Sequence, residues 1–178
     1  MIKKVFIALA ALIIGFVVIV ALQPTDFRVS RSINIAAPAA AVFEQVIDFH
    51  KWDAWSPWAK RDPNMRQTYE GAPAGVGASY SWSGNNEVGE GRMTLTESRP
   101  NEMIRVKLEF LKPFAATNTT EFQFPAQRQS NGSYLEHVRH QQFHGKGFGL
   151  FMNMDKLVGA DFEKGPATIK TVTEAASK

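Results

Sequence analysis

An unbroken apolar run near the N-terminus constrains this chain more than any other feature. Val5 to Leu22 comprises 18 residues without a charge or a proline. A helix of that length is roughly 27 Å long, close to the ~30 Å hydrocarbon core of a bilayer. The run is longer than the roughly 7–15 apolar residues of a cleaved signal peptide, and no small-x-small cleavage pattern ends it. We therefore expect an uncleaved membrane anchor over residues 1–22. A cleaved signal and a buried soluble helix are the alternatives.

The charges on either side of this run predict its orientation. Lys3 and Lys4 precede it, and the next basic residue, Arg28, follows only after Asp26. Positive flanks stay in the cytoplasm, so the N-terminus is expected inside and the rest of the chain outside. In a bacterium this places the protein in the inner membrane with its domain on the periplasmic side. The lipid bilayer is thus a predicted partner, through residues 5–22.

The remainder divides into a short linker, residues 23–26, and one domain, residues 27–178. Without the two lysines of the anchor, the net charge falls from +3 to +1, and no run of Lys or Arg forms a phosphate-binding stripe. This composition argues against nucleic-acid binding. The chain has no cysteine, which excludes disulfides, thiolate metal sites and cysteine nucleophiles.

Alternation of apolar and polar residues predicts a largely antiparallel domain. A first strand over 27–35 is followed by a helix that Ala37-Pro38 opens, and by a second short helical segment, 51–60, rich in Trp. Further strands are expected at 68–71, 78–83, 91–95, 104–110, 120–124 and 134–143. The last segment, 151–169, has helical periodicity, with a kink expected at Gly165-Pro166. A sheet with one apolar face needs a cover, and this long helix is the only element large enough.

Particular motifs accompany that order of elements. They are Val29-Ser30-Arg31-Ser32-Ile33, Ala37-Pro38, Trp52-x-x-Trp55-Ser56-Pro57-Trp58, Gly75-Val76-Gly77, Trp82-Ser83-Gly84-Asn85 and Gly159-x-Asp161-Phe162-Glu163-x-Gly165. With them, the chain resembles the START-like (SRPBCC, helix-grip) superfamily, and in particular its membrane-anchored polyketide cyclase/dehydrase and lipid-transport branch. Two positions depart from the family pattern: Pro166 replaces an aliphatic residue, and His137 stands where a Trp is common.

The resemblance implies an α+β helix-grip fold, in which a curved antiparallel sheet of about seven strands wraps around a long C-terminal helix. It also implies an internal cavity for an apolar or amphipathic small molecule, without a cofactor. It does not imply a reaction, because fold does not determine function. The residues expected to contact the ligand are Arg31, Trp82, Met93, Val106, Leu108, Phe122, Leu135, His137, Arg139, Met154 and Val158.

Several polar and aromatic residues allow more than one interpretation. His137 and Arg139 share a strand face with Leu135 and could hold a carboxylate or phosphate head group, or instead pair with buried carbonyls. Arg31, on the predicted inner face, is expected to pair internally with a residue such as Glu109 or Asp48. The tryptophans at 52, 55 and 58 either pack beneath the first helices or line a pocket or the bilayer interface.

A metal site is not predicted. His137 and His140 are three residues apart on a strand and so face opposite ways. His144 shares a face with His140, but no carboxylate completes the three or four ligands that a zinc-type site needs.

Three functional hypotheses remain open. The first is a membrane-tethered binding module for a lipid-like or polycyclic molecule. The second is a cyclase- or dehydratase-type enzyme with His137 as acid–base. The third is an envelope or stress interaction domain with a filled core. None of the common nucleophile, metalloprotease or nucleotide motifs occurs in the sequence.

Overall fold

The computed structural model describes residues 2–22, 26–125, 133–142 and 154–176. Within these ranges, the side chains of residues 2, 4, 5, 7, 8, 10, 11, 19–21, 26–28, 133–142 and 154–162 are outside the described part. The elements in chain order are α1 (Ile2–Leu22), β1 (Asp26–Ile35), α2 (Ala39–Ile47), a 3₁₀ helix (Phe49–Ala54), β2 (Arg66–Gly71), β3 (Ala78–Ser83), β4 (Glu90–Arg99), β5 (Met103–Lys112), β6 (Ala116–Gln123), β7 (Ser133–Gln142) and α3 (Met154–Ala176).

The seven strands form one antiparallel sheet in the order β1-β7-β6-β5-β4-β3-β2. This confirms the predicted α+β fold with a sheet of about seven strands. Consecutive strands pair as hairpins from β2 to β7, and β1 closes against β7. The predicted boundaries of β3 are those observed, whereas β4 and β5 each extend further than the alternation indicated.

Alternation along the strands separates a core face from a polar face, as predicted. In β5, Ile104 and Val106 are fully buried, and Lys107 between Val106 and Leu108 is exposed. In β6, Phe122 is buried while its neighbours Glu121 and Gln123 are only half-buried. Because side chains on a strand point alternately to opposite faces, this pattern puts one apolar face toward the helices.

The helix α3 packs against β1, α2 and β7. Arg31 of β1 binds Glu163 of α3, with 3.0 Å between Nε and Oε1, and donates to the carbonyl oxygen of Ser30. The expected pairing of Arg31 with an acidic residue of the protein is therefore observed, but the partner is Glu163 and neither of the suggested acids, Glu109 and Asp48. Glu109 instead accepts from Lys107, and Asp48 accepts from His50. The acid that reaches Arg31 comes from the helix that covers its strand, a tertiary contact that strand periodicity does not encode.

The helix α3 runs from Met154 to Ala176 without interruption at Gly165-Pro166. A proline inside a helix removes one backbone hydrogen bond, yet both residues are buried against the rest of the domain. The pair therefore lies inside one continuous helix, and the kink expected there stays a prediction.

Different turns lie at the two ends of the sheet. The strand register puts the start of β1 at Asp26, the β5–β6 turn and the β3–β4 turn at one end. We call this the Asp26 end. The β2–β3 turn, with Val76, lies at the opposite end, which we call the Gly71 end.

The anchor predicted for residues 1–22 coincides with α1. In the part of the chain that the structure describes, no helix meets the combined length and hydropathy of a membrane span. The anchor and the linker, whose residues 23–25 lie outside the described ranges, stay predictions.

Candidate functional site

A cavity of about 120 Å³ lies between the sheet, the 3₁₀ helix and α3. The core is therefore not completely filled in the described part of the domain. Most of the described wall is apolar or aromatic. It comprises Trp52, Asp53, Trp55, Ser56, Pro57, Trp58, Ala59, Met65, Tyr80, Trp82, Val88, Met93, Leu108, Phe110, Thr120, Phe122, Gly165, Pro166 and Ile169.

One wall comes from the 3₁₀ helix and the turn that follows it. Asp48 begins this helix by accepting a hydrogen bond from the backbone N–H of His50 at 2.9 Å. A 3₁₀ helix has three residues per turn, so residues three apart lie above one another. Trp52 and Trp55 therefore lie side by side, with 4.6 Å between ring centroids.

Hydrogen bonds to α2 hold these two indoles in place. The Nε1 of Trp52 donates to the carbonyl oxygen of Val46, and that of Trp55 to the carbonyl oxygen of Gln45, each at 3.0 Å. Buried indoles normally satisfy their N–H in this way. Both rings also make edge contacts with Phe122 of β6. The tryptophans thus pack beneath the first helices and line the cavity at once, so the two interpretations offered above are compatible. Trp58 joins the same wall and stacks beneath Arg61.

The opposite wall is built around Trp82 of β3. Its indole N–H donates to the carbonyl oxygen of Val88 at 3.0 Å, and its ring stacks on Tyr80 and meets the edge of Phe110. Gly91, the register partner of Trp82 in β4, leaves room for the indole ring. A Cβ at residue 91 would overlap the Trp82 ring and approach the carbonyl oxygen of Glu109 to 2.5 Å.

Gly91→Ala is therefore expected to destabilise the domain by ~1–3 kcal/mol, the usual cost of overpacking. The measurement is urea unfolding of the single variants and of the Gly91→Ala/Trp82→Phe pair. A smaller ring at residue 82 relieves part of the overlap, so Gly91→Ala should cost less in the Trp82→Phe background. Equal costs in both backgrounds would show that the glycine is not there to accommodate the indole.

Few of the described wall residues are polar. Asp53 lies at its exposed margin and accepts from the Gln67 amide at 3.1 Å, and Gln67 in turn accepts from the Tyr69 hydroxyl. Deeper in, Tyr80 is only 9% exposed. Among the described residues, none hydrogen-bonds to the Tyr80 hydroxyl. Burial, with Tyr69 and Asp53 nearby, raises the pKa of Tyr80 above its ordinary value of 10.0. The phenol therefore stays protonated and remains a hydrogen-bond donor.

The predicted contact residues fall into three groups. Trp82, Met93, Leu108 and Phe122 line the cavity, as expected. Val106 is fully buried in the core but is not part of the described wall, and Arg31 is paired with Glu163 away from it. The side chains of Leu135, His137, Arg139, Met154 and Val158 lie outside the described residues.

The backbone register nonetheless places those residues that belong to β7. Leu135 is the Cα partner of Ile33, and Arg139 is the Cα partner of Val29 and of the wall residue Thr120. His137 of β7 is the Cα partner of Phe122 on one side and of Arg31 on the other. The described residues contain no group of three or more potential metal ligands. The side chain of His140 and the whole of His144, which the metal hypothesis involved, lie outside that part.

Sequence reasoning missed two parts of the wall. Tyr80 alternates with Trp82 in β3, so the same period-two argument that selected Trp82 could have selected it. Segment 55–59 and Gly165-Pro166 carry no such periodicity, and only the packing of the turn against α3 shows that they contribute.

A comparison with known protein families shows which family the chain belongs to. Residues 26–174 match the sequence profile of the family described as polyketide cyclase / dehydrase and lipid transport. The chain belongs to this family. The match spans every strand of the domain and its helices up to residue 174, and leaves out residues 1–25 and 175–178. No protein of curated function matches the sequence.

Solved structures with the same helix-grip fold confirm the architecture of this family member. A protein from Nitrosospira multiformis is 16% identical with a TM-score of 0.60, over 82% of this chain and 94% of its own. A protein from Chromobacterium violaceum is 15% identical with a TM-score of 0.58, over 85% and 99%. Ara h 8.0201 is 11% identical with a TM-score of 0.57, over 85% and 97%. At these identities the likeness concerns the fold alone.

Proposed function

We propose that this protein binds an apolar or amphipathic small molecule in the cavity between its sheet, 3₁₀ helix and α3. The observation that carries the proposal is the aromatic and aliphatic wall described above, which is typical of ligand pockets with a few placed polar groups. The family's description, polyketide cyclase / dehydrase and lipid transport, supports an apolar ligand. Within the described part of the wall, no acid–base pair is in contact, so binding rather than a reaction is proposed.

The polar groups in the described part of the wall favour a ligand without negative charge. Asp53 is the only charged side chain among the described wall residues, and a carboxylate there repels an anionic head group. Tyr80 offers a buried donor that a carbonyl, ether or hydroxyl oxygen could accept from. Such a group would recover the hydrogen bond that a buried hydroxyl otherwise lacks. The ligand class proposed is therefore a lipid-like or polycyclic molecule with a neutral oxygen.

Membrane tethering forms part of the proposal. The apolar run Val5–Leu22 and the lysines before it support a single-pass anchor in the cytoplasmic membrane, with the domain on the extracytoplasmic side. A tether of this kind would keep the cavity close to a bilayer, where apolar ligands are concentrated.

Native mass spectrometry tests the binding proposal directly. Residues 24–178, purified without detergent, should retain or take up one neutral apolar molecule per chain from an added lipid extract. The matched control is the same polypeptide with Met93→Trp, which places a larger side chain in the cavity. If neither polypeptide carries a ligand from any extract, the binding proposal is wrong.

Tyr80→Phe tests the assignment of the polar group. The substitution removes one hydroxyl and leaves the ring contacts with Phe49, Tyr69 and Trp82 in place. We expect affinity for a long-chain methyl ketone to fall by roughly fivefold to tenfold, as for one lost hydrogen bond. Affinity for the corresponding alkane should not change. Because the phenol stays protonated, the wild-type preference for the ketone should be constant from pH 5 to 9. An equal loss for both ligands would mean that Tyr80 acts by packing alone.

A further inference from the structure

The end of β5 and the turn that follows it expose two large apolar side chains. Leu111 is 56% exposed and Phe114 is 69% exposed, and only Lys112 and Pro113 separate them. Single exposed apolar residues are ordinary on protein surfaces. Two bulky ones at the tip of one hairpin form a small patch, and such patches mark interaction surfaces. We call residues 111–114 the β5–β6 tip.

The strand register places this tip at the Asp26 end of the sheet. Asp26 pairs with Gln142 of β7, Gln142 with Thr117 of β6, and Ala116 with Phe110 of β5. Adjacent strands are ~4.8 Å apart, so three strand spacings put the tip about 14 Å to the side of the start of β1. The tip therefore lies at the end of the domain from which the chain leads back to α1.

The connection between α1 and the sheet is short. Four residue steps separate Leu22 from Asp26, and an extended chain covers at most about 14 Å in that number of steps. The polar interface on each side of the hydrocarbon core is itself roughly 5–7 Å thick. If α1 spans a bilayer, the Asp26 end of the sheet is held within reach of the membrane surface, and the exposed tip with it.

The cavity approaches the same end. Phe110 directly precedes Leu111 in β5, and Val88 belongs to the neighbouring β3–β4 turn; both line the cavity. That turn packs tightly on the tip, because a Cβ at Gly89 would overlap the carbonyl oxygen of Lys112. The wall of the cavity and the apolar tip are thus continuous along the chain and in space.

We propose that the β5–β6 tip inserts into the interface of a lipid bilayer and docks the cavity against the membrane. The proposal rests on the membrane tether proposed above. Lys112 is paired with Glu90 at 2.7 Å, so the tip carries little net charge. Its partner is a lipid surface recognised through apolar insertion, including one made of zwitterionic lipid.

Two single-cysteine variants of the full chain test this proposal. The wild-type chain has no cysteine, so Phe114→Cys and Val76→Cys each accept one environment-sensitive fluorophore. Val76 is the matched control, since it is 58% exposed and lies in the β2–β3 turn at the Gly71 end. Both proteins are reconstituted in phosphatidylcholine vesicles, with and without a phosphatidylcholine whose nitroxide lies just below the head groups.

We expect the label at residue 114 to shift to shorter wavelength and to lose most of its fluorescence in the nitroxide vesicles. The label at residue 76 should remain close to its emission in water. Equal quenching at the two sites would overturn the proposal. So would a spectral change at residue 114 that follows protein concentration instead of the nitroxide, because that result indicates contact with a second protein molecule.

Vesicle flotation separates this inference from the proposed function. If the full chain floats with the vesicles but residue 114 stays in water, docking of the tip is wrong while tether and ligand binding stand. If the full chain does not float, the proposed tether and the proposed docking of the tip are both wrong. Ligand retention by residues 24–178 is measured independently of either result.

Discussion

Met93→Trp should lower the affinity for a neutral apolar ligand by about 10–100-fold, because the larger side chain enters the cavity and displaces ligand atoms. Met93 is only half-buried, lines the cavity and is the strand partner of Tyr80 and Leu108. The cavity beside residue 93 has room for the indole ring, so the variant should still fold. The measurement is equilibrium binding of a fluorescent long-chain alcohol to residues 24–178.

Thr94→Trp is the matched control for this substitution. Thr94 is the next residue of the same strand, and its side chain points to the other face of the sheet. The same residue is introduced at nearly the same place, so any general effect on the strand is reproduced without filling the cavity. Binding should remain close to wild type. If the two variants bind equally well, the ligand is not held in this cavity.

Phe122→Ala should destabilise the domain by ~3–5 kcal/mol, the usual range for deleting a buried aromatic ring. Phe122 is 1% exposed and contacts the edges of both Trp52 and Trp55. Its removal extends the existing cavity and deprives the 3₁₀ helix of its support on the sheet. A loss of this size is a large part of the 5–15 kcal/mol by which domains are usually stable. Urea unfolding of residues 24–178 measures it.

Phe114→Ala provides the comparison for that loss. The same ring is deleted from a side chain that is 69% exposed, so the free energy of unfolding should change by less than about 0.5 kcal/mol. The difference between the two variants tests whether Phe122 is buried and Phe114 is exposed. Similar losses at residues 114 and 122 would mean that Phe122 does not occupy the core position described here.

The sheet was predictable because burial on one face leaves a period-two pattern in the sequence. That pattern located β3 to the residue and the inner face of β5 and β6, and the same reasoning selected Trp82, Met93, Leu108 and Phe122. The long C-terminal helix followed from the change to helical spacing. Periodicity predicts these strands because each strand must bury one of its two faces along its whole length.

Contacts between different elements leave no periodic pattern in the sequence. The partner of Arg31 is Glu163, 132 positions away, and only the placement of α3 over β1 brings the two together. Gly91 is required by the indole of Trp82 in the adjacent strand, not by its own backbone conformation. Val106 shares its periodicity with Leu108, yet it is buried in the core while Leu108 lines the cavity. The strand pattern predicts the face of a residue but not how closely the opposing layer approaches it.

Intrinsic fluorescence gives the most direct test of ligand binding in the cavity. The chain has four tryptophans, and Trp52, Trp55, Trp58 and Trp82 all line the cavity. A brominated long-chain alcohol bound there lies within contact distance of these rings and should quench their emission with saturation at micromolar concentration. The brominated fatty acid of equal length should quench more weakly, because Asp53 disfavours its charge. Quenching that rises linearly without saturation, and equally for free tryptophan in the same solution, would contradict the proposal that this cavity binds the ligand.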